Sequence, residues 1–172
     1  MTISNKLGSS YESMRAASRN KTIKVSVNDV QFDLKVRVPV KREMDEITSK
    51  LSTPDRDLVE KLYEEMSKPL RDTVADVEEG FLAALNADGE KMRFTDNDVI
   101  VNGTSVRNVA TLTALWQKQV ELFFSLLQTE TGEPVNETYQ EIADEFPEAG
   151  IREIIKCIDA AIRPSYQDAK KN

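Results

Sequence analysis

Side chains able to do chemistry are few in kind in this chain. Histidine is absent and cysteine occurs once, at Cys157. His-dependent triads, His-ligated zinc, Cys–His nucleophiles, zinc fingers and disulfide frameworks are thereby excluded. Carboxylates are plentiful, with adjacent pairs at Glu64-Glu65, Glu78-Glu79 and Asp144-Glu145. Such pairs do acid–base work only where apolar or convergent surroundings separate their pKa values. Here they fall opposite the apolar stripes of their helices and read as solvated faces. Asp96-Asn-Asp98 has the spacing that opens a calcium loop, but Ile100 takes the next ligand position and no Glu stands at the twelfth, so a polar turn is the plainer reading. Cys157 stands one position off an isoleucine stripe and reads as a small filler at the core's edge. There is no glycine-rich phosphate loop, nucleophile elbow or Asp-rich metal box. The expectation is no catalytic residue, no metal site and no cofactor, and a protein that is not an enzyme.

The elements that would position a binding surface are easier to read. Ile23, Val25 and Val27 alternate with polar residues, and after Asn28-Asp29 the alternation resumes at Val30, Phe32, Leu34, Val36 and Val38. Period two means half-buried strands, and Asn-Asp tolerates the positive φ of a primed hairpin turn. A two-residue turn places Val27 opposite Val30, Val25 opposite Phe32 and Ile23 opposite Leu34, all on one face. The predicted hairpin covers 22–38. Its second strand overruns the first at Val36 and Val38 until Pro39 stops it, which would leave an unpaired edge there. Val25, Phe32, Leu34, Val36 and Val38 are therefore the candidate residues for self-association or for binding a client. An isolated ribbon is marginal, so its apolar face must be covered by helices or by a second copy.

From about residue 41 the period becomes helical. Met44, Ile47 and Leu51 mark a short helix. Thr53-Pro54-Asp55 opens the next, with Thr53 as N-cap, Pro54 at the first helical position and a stripe of Leu58, Val59, Leu62, Tyr63 and Met66. Pro69 is expected to restart or kink it, ahead of a stripe at Leu70, Val74, Val77, Phe81 and Leu85. Met92-Arg-Phe94 and Val99-Ile-Val101 can form short strands, with Asn102-Gly103 as a turn. Thr104 or Ser105 caps the most apolar helix, which carries Val106, Val109, Leu112, Leu115, Trp116, Val120, Phe123, Phe124 and Leu127. A helix apolar on most sides is normally central to its domain. Asn136-Glu-Thr138 begins another, with Tyr139, Ile142, Ala143 and Phe146 on its face and Pro147 at its end. The last is striped by Ile151, Ile154, Ile155, Ile158, Ala161 and Ile162 and closed by Pro164. The fold class is α+β: an N-terminal β-hairpin, then a mainly α-helical domain. Residues 1–20 read as a flexible basic arm, 21–163 as one domain, and 164–172 as a polar tail.

Composition bounds the partners. The chain has 172 residues, 31% of them charged, with a formal charge of −7. Acidic proteins are poor non-specific binders of nucleic acid, since phosphate neutralisation needs clustered Lys and Arg. Only the start is basic, where Lys6, Arg15, Arg19, Lys21 and Lys24 stand against Glu12. That arm can meet an acidic partner, or it is simply a solvated tail. No signal-peptide core and no transmembrane stretch is visible, so a cytoplasmic protein is expected and the sequons at Asn102 and Asn136 carry no meaning.

The order of elements is a basic arm, a one-faced hairpin ending in Val-Arg-Val-Pro39, and charged helices. It closes with Glu137-Thr-Tyr-Gln-Glu-Ile-Ala-Asp-Glu-Phe-Pro147 feeding an isoleucine-striped helix. This order resembles the tail assembly chaperones of long-tailed bacteriophages, over roughly residues 21–163 at the level of pattern. The resemblance implies a protein of the host cell cytoplasm that binds and solubilises the tape measure protein and helps recruit tail tube subunits. It implies absence from the finished virion, while the unpaired edge at Val36 and Val38 favours self-association into a homo-oligomer. It also implies a longer product made by a −1 ribosomal frameshift near the end of the first reading frame, through which tube protein would be recruited. Lys170, Lys171 and Asn172 are then the candidate junction, because their codons can form a nearly unbroken run of A; they are equally ordinary residues for a solvated end. The other readings are a regulatory adaptor or anti-repressor that uses the basic arm, and a structural subunit of the virion.

Overall fold

The computed structural model describes residues 13–14, 19–27, 29–75, 86 and 91–163. Most of the basic arm, the stripe positions Val77, Phe81 and Leu85, and the tail with Lys170, Lys171 and Asn172 lie outside the described residues. In chain order the elements are β1 (Asn20–Val27), β2 (Val30–Arg37), α1 (Lys41–Leu51), α2 (Arg56–Ala75), β3 (Met92–Phe94), β4 (Val99–Val101), β5 (Thr104–Ser105), α3 (Val106–Phe124), β6 (Leu127–Gln128), α4 (Tyr139–Glu145) and α5 (Glu148–Ile162). The architecture is α+β, an N-terminal antiparallel hairpin followed by helices and a second small sheet. Contacts gather into two compact units, Met1–Thr48 with Lys118–Asn172 and Ser49–Gln117.

In the first unit the hairpin has the register that alternation predicts, with Val27 opposite Val30, Val25 opposite Phe32 and Ile23 opposite Leu34. Asp29 holds φ at +64°, as a primed turn requires. The apolar face is covered by α5, which runs antiparallel along β1. Gly150 abuts Val27, so closely that a Cβ there would lie 3.3 Å from Val27 Cγ1. Further along, the Cys157 thiol sits 3.7 Å from the Lys24 carbonyl, and Lys21 Nζ donates to the Ala161 carbonyl at 2.8 Å. Ile151, Ile154 and Ile158 of α5 are buried, as are Val25, Val36, Val120 and Phe123 of the same unit.

The expected overrun of β2 does not occur. β1 begins at Asn20, so Asn20 pairs with Arg37 and Lys21 with Val36. The Val38 N–H donates to the Arg19 carbonyl at 2.6 Å. On its other side Val36 is paired with Leu127 of β6. Val36 and Val38 therefore offer no open edge, and Val36 is fully buried. The reason is Lys21: it shares the register of Ile23 and Val25, yet its ammonium reaches the last turn of α5, where a cation meets unsatisfied carbonyls. A lysine in an apolar register hides the strand's true start.

In the second unit Val59, Leu62 and Tyr63 of α2 pack with Val99, Val106, Ala110 and Ala114. The β3–β4–β5 sheet takes the predicted strands, and Asn102 (φ +49°) and Gly103 (φ +76°) make its turn. Two expectations for α2 are corrected. Asp55, not Thr53, caps the helix: its carboxylate accepts the N–H groups of Asp57 (3.0 Å) and Leu58 (3.2 Å), and Pro54 stays outside. The helix also continues through Pro69 to Ala75. Proline frees the carbonyl four residues back, and Glu65 is exposed, so water can satisfy it. A third correction concerns α3, which stops at Phe124. Leu126 closes a tighter turn onto the Phe123 carbonyl (3.0 Å), and Leu127 enters β6.

Candidate functional site

The site with the strongest claim lies in the first unit, where β6 ends. Backbone N–H groups along an antiparallel strand alternate between its two neighbours. Arg37 donates to the Leu126 carbonyl at 2.8 Å, on the β6 side, and Val38 donates to Arg19 on the β1 side. By the same alternation Gln31 and Asp33 point their N–H groups toward the β6 side. β6 pairs only with Lys35 and Val36, so no described strand meets Gln31 or Asp33 there. β2 is thus an inner strand at one end and an edge strand at the other.

The chain turns away after Gln128 for a visible reason. Thr129 and Glu133 close a tight loop, with Thr129 N–H donating to the Glu133 carbonyl at 2.8 Å and Gly132 at φ +87°. The returning segment bridges Pro134 to Gln128, and Val135 N–H donates to the Leu127 carbonyl at 3.1 Å. It then enters α4 through a capping box: the Glu141 N–H donates to Thr138 Oγ1, while the Glu141 carboxylate accepts the Thr138 N–H at 2.7 Å. The Thr138 N–H, and then the Thr138 hydroxyl that donates to the same carboxylate at 2.8 Å, hold the Glu141 carboxyl below the usual carboxylate range. Tyr139 N–H donates to Glu121 at 2.8 Å, which fixes α4 to the end of α3.

This path leaves a groove of about 250 Å³ beside the open half of β2. Its apolar lining is Leu34, Phe124, Leu127, Val135, Ile142 and Phe146. Phe124 and Phe146 meet edge to face at 6.1 Å and set one wall. Glu137, Glu141 and Glu145 supply the charge, and no cation is among the lining residues. The Glu137 and Glu145 carboxylates take no hydrogen bond or ion pair among the described residues. The arrangement can hold apolar side chains while presenting carboxylates to cations.

Of the hairpin residues singled out from the sequence, only Leu34 reaches this groove. Val25 and Val36 are fully buried, and Phe32 and Val38 are half-buried. Phe124, Leu127, Ile142 and Phe146 each stood on a helical stripe in the sequence, but nothing there joined them to Leu34.

Two further clusters are structural. Asp98 Oδ1 accepts the N–H groups of Val99 (2.8 Å) and Arg107 (3.0 Å), and Oδ2 accepts the Ser105 hydroxyl at 2.5 Å. Burial raises its pKa, but the bonds from Ser105, Arg107 and Val99 outweigh that and hold it below the ordinary range. Ser105 Oγ in turn accepts the Asn108 N–H at 3.0 Å, so both side chains cap α3. Arg107 pairs with Glu60 and lies over the Tyr63 ring at 4.1 Å. In the first unit the Glu43 carboxylate gathers Arg19 (3.0 Å), Arg37 (2.8 Å) and the Val40 N–H (2.9 Å). Burial, then the Glu153 carboxylate, push the Cys157 thiol up, which keeps it protonated at neutral pH. Among the described residues no group of three or more Cys, Asp or Glu is placed to hold a metal ion, and no helix is long and apolar enough to cross a membrane. Compared with protein families, with curated proteins and with solved structures, the chain matches none.

Proposed function

We propose that this protein is a tail assembly chaperone of a long-tailed bacteriophage. It binds and solubilises the tape measure protein in the host cytoplasm, helps recruit tail tube subunits, and leaves before the virion is complete. The observation that supports this reading most is the half of β2 that no described strand pairs, beside an apolar groove rimmed by glutamates. A chaperone needs a surface that takes sticky segments weakly and many times over, on a body that does not precipitate with them, and the formal charge of −7 favours that.

The test is co-expression with the tape measure gene of the same genome. The tape measure protein is expected in the soluble fraction, co-purifying with this chain, and to precipitate without it. A tape measure protein that stays insoluble in its presence would end the proposal. Mass spectrometry of purified particles is expected to find none of this chain; stoichiometric amounts would make it a virion subunit instead.

A further inference from the structure

We propose that the open edge of β2 and the adjoining groove form one receptor for an extended basic segment of the client. In that segment large apolar residues alternate with Lys or Arg. The inference rests on the chaperone reading for the source of the segment, and names the place and chemistry of its binding.

The backbone comes first. Gln31 and Asp33 present N–H and C=O groups to a side that no described strand fills, and a guest strand can continue the sheet there. Side chains of a guest strand alternate between faces. A guest residue opposite Phe32, just beyond the end of β6, points to the apolar face of the sheet, because paired residues share a face and the next residue on that face, Leu34, lines the groove. Its volume of about 250 Å³ lies below the roughly 300–1,000 Å³ of small-molecule pockets and suits about one or two apolar side chains.

Charge then selects the guest. Glu137, Glu141 and Glu145 line the groove with no cation among their neighbours there, so an acidic guest is repelled and a basic one attracted. A second copy of this chain is a poor occupant. Its own strand of alternating Lys and apolar residues, β1, has Val25 fully buried beneath α5 and cannot release it to another groove. The guest is a segment whose apolar residues are still free, as in a client awaiting assembly.

The probe is a labelled synthetic octapeptide, Lys-Val-Lys-Leu-Lys-Phe-Lys-Val, titrated into the full chain, with a counterpart bearing Glu in place of Lys. Saturable binding is expected for the first, weaker by about tenfold or more for the second. Amide hydrogen exchange at Gln31 and Asp33 is expected to slow on binding, while that of Arg37, already bonded to Leu126, stays as it was. Glu137→Lys with Glu145→Lys, two exposed sites, is expected to weaken the basic peptide about tenfold and leave the melting temperature unchanged. A peptide N-methylated on the residues meant to pair should lose roughly tenfold without any change to the protein.

Equal affinity for both peptides, or unchanged exchange at Gln31 and Asp33, would overturn the proposal. So would a chain that dimerises alone and becomes monomeric with the two charge reversals, since the groove would then belong to a second copy. Peptide binding with an insoluble tape measure protein removes the chaperone reading and keeps the receptor. A soluble tape measure protein with no peptide binding does the reverse.

Discussion

Two carboxylates organise more backbone than their positions in the sequence suggest. Asp98 ties the β3–β4 turn to the first turn of α3 through Ser105 and the Arg107 N–H. Glu43 gathers the two ends of the hairpin, Arg19 and Arg37, onto the start of α1. For Glu43, as for Asp98, burial raises the pKa and is outweighed; here the Val40 N–H, Arg37 and Arg19 bring it below its ordinary value. A folded-state pKa below the unfolded one means that stability is complete above the unfolded value, about 3.9 for Asp and 4.3 for Glu. It is lost as pH falls through the folded value. Melting curves between pH 7 and pH 3 should therefore show wild type losing stability below about pH 4, with a shallower loss in Asp98→Asn and in Glu43→Gln. At pH 7, Asp98→Ala should cost about 1–3 kcal/mol, since it removes a helix cap and leaves Ser105 without its acceptor. Glu43→Gln should cost less, about 0.5–1 kcal/mol, because solvent screens a carboxylate that is 38% exposed. A pH profile identical to wild type in both variants would contradict these assignments.

At the scale of elements, α2 makes the clearest prediction. Its hydrogen bonding continues through Pro69, where proline is unfavourable by about 3 kcal/mol relative to Ala in a helix interior. Pro69→Ala should therefore stabilise the chain by roughly 1–3 kcal/mol, read as a higher melting temperature. A lower melting temperature would mean that Pro69 sits at a restart or kink of the helix, as the sequence alone suggests. The contact of α5 with β1 makes a second. Gly150 lets the first turn of the helix approach Val27, and a Cβ would already be tight at 3.3 Å. Gly150→Leu is expected to destabilise by about 1–3 kcal/mol through overpacking, whereas Gly150→Ala should stay near neutral because better helix propensity offsets the small clash. Denaturant midpoints of the two variants separate these outcomes.

For the whole molecule, the surplus of carboxylates and the placement of the groove bear on the same behaviour. If the glutamates steer the client, raising salt from about 0.05 to 0.5 M should weaken co-purification of the tape measure protein, as screening shortens the reach of surface charge. Retention that strengthens with salt would point to a purely apolar contact. Much of this molecule was legible in the residues. Alternation and the Asn28-Asp29 turn set the hairpin register, because side chains that alternate in period two must all face one way once the turn length is known. Asn136-Glu-Thr138 announced the start of α4, and the isoleucine stripe announced the buried face of α5, since helix starts and helical periods are local signals. The tertiary structure alone decided the rest. β6 is two residues long and continues the apolar stripe of α3, so no local period separates it from helix. Lys21 keeps an apolar register only because the end of α5 is there to receive its charge. The groove draws Leu34, Phe124 and the pair Ile142 and Phe146 from three separate places in the chain. Strand pairing and groove lining depend on residues far apart in sequence, and periodicity carries no record of which distant residues will meet.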